Sequence, residues 1–212
     1  MTTSVALKSL LGAAALTLPL IAFGESNLQT GTTALTATAH VDFSIVIPKI
    51  LYLRVGTGST YTGATPALSS VGTIDAITFS PAAGTVGNGT AVAGVGGDLT
   101  GGVETAAIVS NSGNVTLNAT ASGALSDGNG DSIPFTQITT AATTLTSTTA
   151  LPAPVLSNGV SGNVVLTAPA TKLITQDAKW TFSFANAANV PAGTYGGVNV
   201  NNSRVIYTAT MP

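Results

Sequence analysis

The sequence predicts an all-β protein, a sandwich of about seven to nine short, mostly antiparallel strands. Three observations carry this. Several stretches alternate apolar and polar residues with a period of two, the pattern of a strand with one face buried. Thr and Val, both strand formers, are abundant, while 24 Gly and 10 Pro interrupt the chain too often for long helices. No stretch after residue 24 places apolar residues at the spacing of three and four that marks an amphipathic helix.

The first 24 residues stand apart from this pattern. Lys8 precedes an apolar run from Leu10 to Phe23 that ends in the small residues Ala22-Phe23-Gly24. Such a run is too short for a bilayer span of about 20 residues. It fits a cleaved signal peptide, residues 1–24, with cutting after Gly24. The expectation is therefore export, to the periplasm, the cell surface or the medium of a bacterium. A single domain then follows, residues 25–212, with no integral membrane span.

Residues 25–34 are polar, and the first strand expected is LTATAHVDFSIVIP. From Leu35 every second residue is apolar: Ala37, Ala39, Val41, Phe43, Ile45 and Ile47. Pro48, which cannot donate to a ladder, stops it. KILYLRV (49–55) is apolar on both faces, the signature of a central strand or a crossing between sheets. Residues 56–70 read as loop and TIDAITFSP (73–81) as strand, ended by Pro81. The glycine-rich residues 82–102 read as a long surface loop or short edge strands.

NVTLNATAS (114–122) sets Val115, Leu117, Ala119 and Ala121 on one face. SDGNGDSIP (126–134) is a turn, FTQITT a short strand, and 139–150 a Thr-rich tract. LPAPVL (151–156) is Pro-interrupted and reads as an extended edge or a connection, and GNVVLTAP (162–169) as a strand. AKWTFSFAN (178–186) places Trp180, Phe182 and Phe184 together and is the expected centre of the core. After a turn at 193–197, RVIYTATM directs Val205, Tyr207, Ala209 and Met211 one way.

Charge and residue inventory narrow the functions. Charged residues are only 7% of the chain, against about 25% in an average soluble domain. Uncharged Thr, Ser, Asn and Gly must therefore cover the surface, and like charges offer little protection against self-association. A formal net charge of −2 supplies no basic face for nucleic acid. There is no Cys, hence no disulfide, thiolate metal site or cysteine nucleophile. With one His besides, an ordinary zinc site is excluded.

Candidate chemistry is sparse. His40, Asp42 and Ser44 share a strand face, but same-face neighbours lie about 7 Å apart along a strand, beyond the reach of a catalytic triad. A solvated polar face is the better reading. The glycines of 82–102 precede no helix, so a phosphate-binding loop is not supported. Tyr52, Tyr195 and Tyr207 are candidates for a sugar platform, with packing the favoured role.

Asp127, Asn129 and Asp131 are the one calcium candidate, with oxygen-bearing side chains at positions 1, 3 and 5. Ser132 stands where such loops carry Gly, and Ile138 where they carry a bidentate Glu. Asp-Gly and Asn-Gly are also strong turn formers, so a turn without metal is preferred. No other cofactor is expected, and no catalytic motif appears.

Both ends of the chain resemble fimbrial (pilus) subunits of the chaperone–usher type, cysteine-free, and related secreted coat-like proteins. The resemblance rests on TALTATAHVDFSIVIP near the start and PAGTYGGVNVNNSRVIYTATMP at the end, where a G-x-Y-x-G turn precedes a last apolar strand. It implies an incomplete immunoglobulin-like sandwich whose N-terminal strand, here within residues 25–40, fills a groove in a neighbouring copy. By position, Leu35, Ala37, Ala39 and Val41 would be donated, and Val205, Tyr207 and Ala209 would line the groove.

The resemblance implies self-assembly into a homopolymer, a periplasmic chaperone and usher as partners, and a role in surface attachment or biofilm. The residues themselves leave a second reading open, a monomeric secreted binding module for carbohydrate or a surface. Neither reading is enzymatic.

Overall fold

Apolar alternation makes a strand only where a neighbouring edge supplies the ladder. That condition decides which of the alternating segments become strands in this chain. In the computed structural model residues 25–56 and 68–212 are described, and they fall into two units, 25–47 and Pro48–Pro212. The predicted signal peptide, residues 1–24, lies outside the described residues.

Unit Pro48–Pro212 is all-β and sandwich-like. Its strands are β1 (Leu51–Val55), β2 (Ile77–Thr78), β3 (Val92–Ala93), β4 (Val95–Gly96), β5 (Val103–Ser110) and β6 (Val115–Ala121). They continue with β7 (Leu125–Ser126), β8 (Ser132–Ile133), β9 (Ile138–Thr143), β10 (Val164–Leu166), β11 (Ile174–Phe184) and β12 (Val205–Thr210). The larger sheet runs β1-β5-β11, with β9 on the far side of β11 and β3 continuing the ladder of β11 beyond β5. The smaller sheet is β10-β6-β12. All these pairings are antiparallel.

Inward residues of both sheets meet in one core. Trp180, Ala178 and Phe182 come from β11, Ala106 and Ile108 from β5, and Val115, Leu117 and Ala119 from β6. The alternation of β6, β11 and β12 thus buries the faces that the sequence indicates. Trp180 is fully buried, and its indole N–H donates to the Leu151 carbonyl at 2.8 Å. The connection 151–156 is therefore part of the core, with Leu151 and Leu156 both buried.

Four expectations need correction. LTATAHVDFSIVIP forms no strand: none of the residues 25–47 belongs to one, and Phe43 and Ile45 are 90% and 85% exposed. Its alternation is real, but no edge among the described residues supplies its ladder. KILYLRV is an edge strand rather than a central one, paired among the described residues with β5 alone. Its polar-side residues Tyr52 and Arg54 have long apolar stems, which mimic two buried faces.

TIDAITFSP contributes only the two-residue β2, and the Thr-rich tract begins as strand β9. Conversely β5, the neighbour of β11 along most of its length, carries no clear polar–apolar alternation: it reads VETAAIVS and is almost wholly buried.

Asp177 fixes the rest of the Thr-rich tract. Its carboxylate, buried on β11, accepts from the backbone N–H groups of Thr146 (2.8 Å) and Ser147 (2.9 Å) and from both their hydroxyls. Replacing it with Ala removes these bonds, and a hydrogen bond to a charged group contributes about 1.5–3 kcal/mol. Asp177→Ala is expected to lower unfolding free energy by about 3 kcal/mol in urea titration. Thr144→Ala, outside this network, should cost under about 0.5 kcal/mol.

Candidate functional site

The two sheets each end in an edge strand on the same side of the sandwich. β1 closes the larger sheet and β12 the smaller, and the two strands lie beside each other. Among the described residues neither has a ladder partner on its outer edge. Val205, Tyr207 and Ala209 point from β12 toward the core but are only partly buried, as are Leu53 and Val55 of β1. Ile206, on the opposite face, is 58% exposed. Main-chain donors and acceptors along an unpaired edge form a template for a further strand.

Tyr207 is the anchor of this seam. Its ring lies 5.3 Å from that of Trp180 at an interplanar angle of 46°, and burial, with the charge of Glu104 secondary, pushes its hydroxyl well above the usual tyrosine range.

At one end of the seam sits a group of acids that the sequence does not announce. Glu104, 4% exposed, pairs in register with Trp180 and so faces the core side of β5. Its Oε2 accepts from the backbone N–H of Asp98 at 3.3 Å, and its carboxyl hydrogen-bonds that of Asp75. Asp98 accepts from Thr105 N–H at 2.7 Å and from the Arg54 guanidinium at 3.2 Å, both side chains of that ion pair being nearly buried. Arg54 also donates to the Gly56 carbonyl at 2.9 Å.

Burial pushes the Glu104 carboxyl up from 4.5 to about 8. The Asp98 N–H opposes this, and the charges of Asp75 and Asp98 add to it. The only sequence signal was an acid inside an otherwise apolar run, V-E-T-A-A-I-V.

The remaining candidates fall in separate places. Asp127, Asn129 and Asp131 form a self-contained turn: one Asp127 oxygen accepts from the Asn129 and Asp131 N–H groups at 2.8 and 3.0 Å. The Asn129 N–H bond, ahead of the others, holds the Asp127 carboxyl below the usual carboxylate range.

His40 pairs with Glu25, Nδ1 to Oε2 at 2.7 Å, rather than with Asp42 or Ser44. Leu35, Ala37, Ala39 and Val41 are exposed. The three tyrosines make no platform: Tyr207 faces the core, Tyr52 occupies the other face of β1, and Tyr195 donates to the Pro191 carbonyl at 2.8 Å in the last turn. Gly94 and Gly102 serve packing, since a Cβ on Gly102 would lie 2.6 Å from the Gly94 Cα.

No helix among the described residues is long and apolar enough to cross a membrane. No family model matches the chain, and no curated protein or solved structure matches it either.

Gly56 is where the acid group meets the end of β1. Its φ is +79°, and a Cβ there would sit 2.6 Å from Glu104 Oε2, with Asp75 Oδ2 equally close. Gly56→Ala combines backbone strain with a carboxyl clash and is expected to cost about 2–4 kcal/mol, read as a lowered midpoint in urea unfolding. Gly130→Ala, also at positive φ (+117°) but in open space, should cost only the backbone part, about 1 kcal/mol.

Proposed function

We propose that this chain is an exported structural subunit of fimbrial type that assembles at the cell surface by strand exchange. In this reading its incomplete immunoglobulin-like sandwich is completed by the N-terminal segment of a second copy. One observation carries it. A regularly alternating apolar segment, residues 35–47, belongs to no strand, while the seam strand β12 keeps an edge unpaired among the described residues, above half-buried Val205, Tyr207 and Ala209. The exposure of Val41 (74%) and Phe43 (90%) is costly for a chain that stays alone in water.

Strand addition answers both deficits at once. The incoming backbone hydrogen-bonds the free edge of β12, and alternate side chains fill the gap between the sheets. Each large apolar side chain so buried contributes about 1.5–3 kcal/mol, and the small Ala37 and Ala39 suit a seam already occupied by Tyr207. The polar face, with Thr36, Thr38, His40 and Asp42, stays in water. The low surface charge leaves little electrostatic barrier to polymerisation.

The reading is tested by deleting residues 25–40 from the exported chain and measuring its size distribution. The full chain is expected to form polymers, and the deleted one to remain folded and monomeric. Ala39→Asp, at an exposed position, should block polymer formation equally without shifting the melting temperature. A full chain that stays monomeric at all concentrations, or a deletion that unfolds the domain, points instead to a self-sufficient binding module.

A further inference from the structure

The acids at the end of the seam outnumber the cation that faces them. Glu104, Asp75 and Asp98 converge around Gly56, and among the described residues Arg54 pairs with Asp98 there. Tyr207 faces them from β12 and stays neutral. Residues 57–67 contain no charged side chain. With all three carboxylates ionised the group carries two net negative charges in a nearly buried place, and with one proton it carries one.

We infer that this group is a proton-sensing latch: Glu104 keeps a proton that it shares with Asp75, which ties the end of β1 to residue 75 and to the turn at Asp98, and losing that proton loosens the junction. The latch belongs to the folded domain and stands whether or not the chain polymerises.

Geometry supplies the reasons. A carboxyl–carboxyl hydrogen bond requires one partner to be protonated, and Glu104 is the more buried of the two. Its Oε2 accepts from the Asp98 N–H, and Oε2 and Asp75 Oδ2 are the two oxygens that crowd Gly56. Once ionised, Glu104 faces Asp75 and Asp98 with like charge beside the Trp180–Tyr207 pair.

The direction of the pH effect comes from the raised Glu104 value. Between about pH 4.5 and about 8 the folded state holds a proton that the unfolded chain has released. Stability conferred by this group is therefore complete below pH 4.5, falls as pH rises, and levels off above about pH 8.

The test compares the full exported chain with Glu104→Gln, an isostere of the protonated acid, by melting temperature at half-unit steps from pH 5 to 9. The wild type minus variant difference is expected to fall through that range and level near pH 8, so that the variant is the more stable protein at pH 9. The subtraction removes every ionisation that the two proteins share.

Should the variant fail to fold, Asp75→Asn gives the second reading. Removing the like charge moves the inflection to lower pH. Parallel profiles for wild type and Glu104→Gln overturn the inference. So does a rise in melting temperature on adding calcium at pH 9 that Glu104→Gln abolishes, which would put a cation where we place a proton.

Discussion

The structure depends on β11 being paired along both edges while its inward face carries Trp180. β5 takes one edge and β9 the other, so an eleven-residue strand becomes the spine of the larger sheet. Trp180 then closes the core in two directions. Its indole donates to the Leu151 carbonyl, tying down a proline-broken connection, and its ring meets Tyr207 of the smaller sheet. A buried Trp brings large apolar area and a single donor that must be satisfied, and both needs are met by different parts of the chain. Asp177, three residues before it on the outer face, anchors the Thr-rich tract by the same logic with acceptors in place of a donor.

Beyond that spine, the two sheets end on one side of the sandwich in strands with no outer ladder partner among the described residues. β1 and β12 are the ends of their sheets, and both direct partly buried apolar residues into the space between them. Closed all-β domains avoid such edges or blunt them with charge, and β12 does neither: its residues are Val, Ile, Tyr, Thr, Ala and Thr. An unblunted edge over partly buried apolar residues and an unpaired apolar segment are complementary physical deficits. Strand exchange is the arrangement that removes both, which is why it is our proposal.

Charge is used sparingly. Of the few charged groups, four gather where β1 ends, and two of the acids share a hydrogen bond. In the low dielectric of a nearly buried site a single proton changes the local energy far more than it would on the surface.

The sequence by itself determined the all-β class, the buried faces of β6, β11 and β12, and Trp180 as the centre of the core. Each is a period-two pattern, and a pattern fixes which side of a strand is apolar regardless of its neighbours. It also indicated residues 35–47 as a first strand, which the structure does not form. Only the tertiary structure decided which edges meet. The same alternation gives a paired strand in β6 and an unpaired segment at 35–47, because a ladder needs a partner that local sequence cannot name. β5 escaped notice since burial on both faces erases alternation, and Glu104 escaped with it. Its role arises from Asp75, Asp98 and Arg54, brought together from three other segments by the fold.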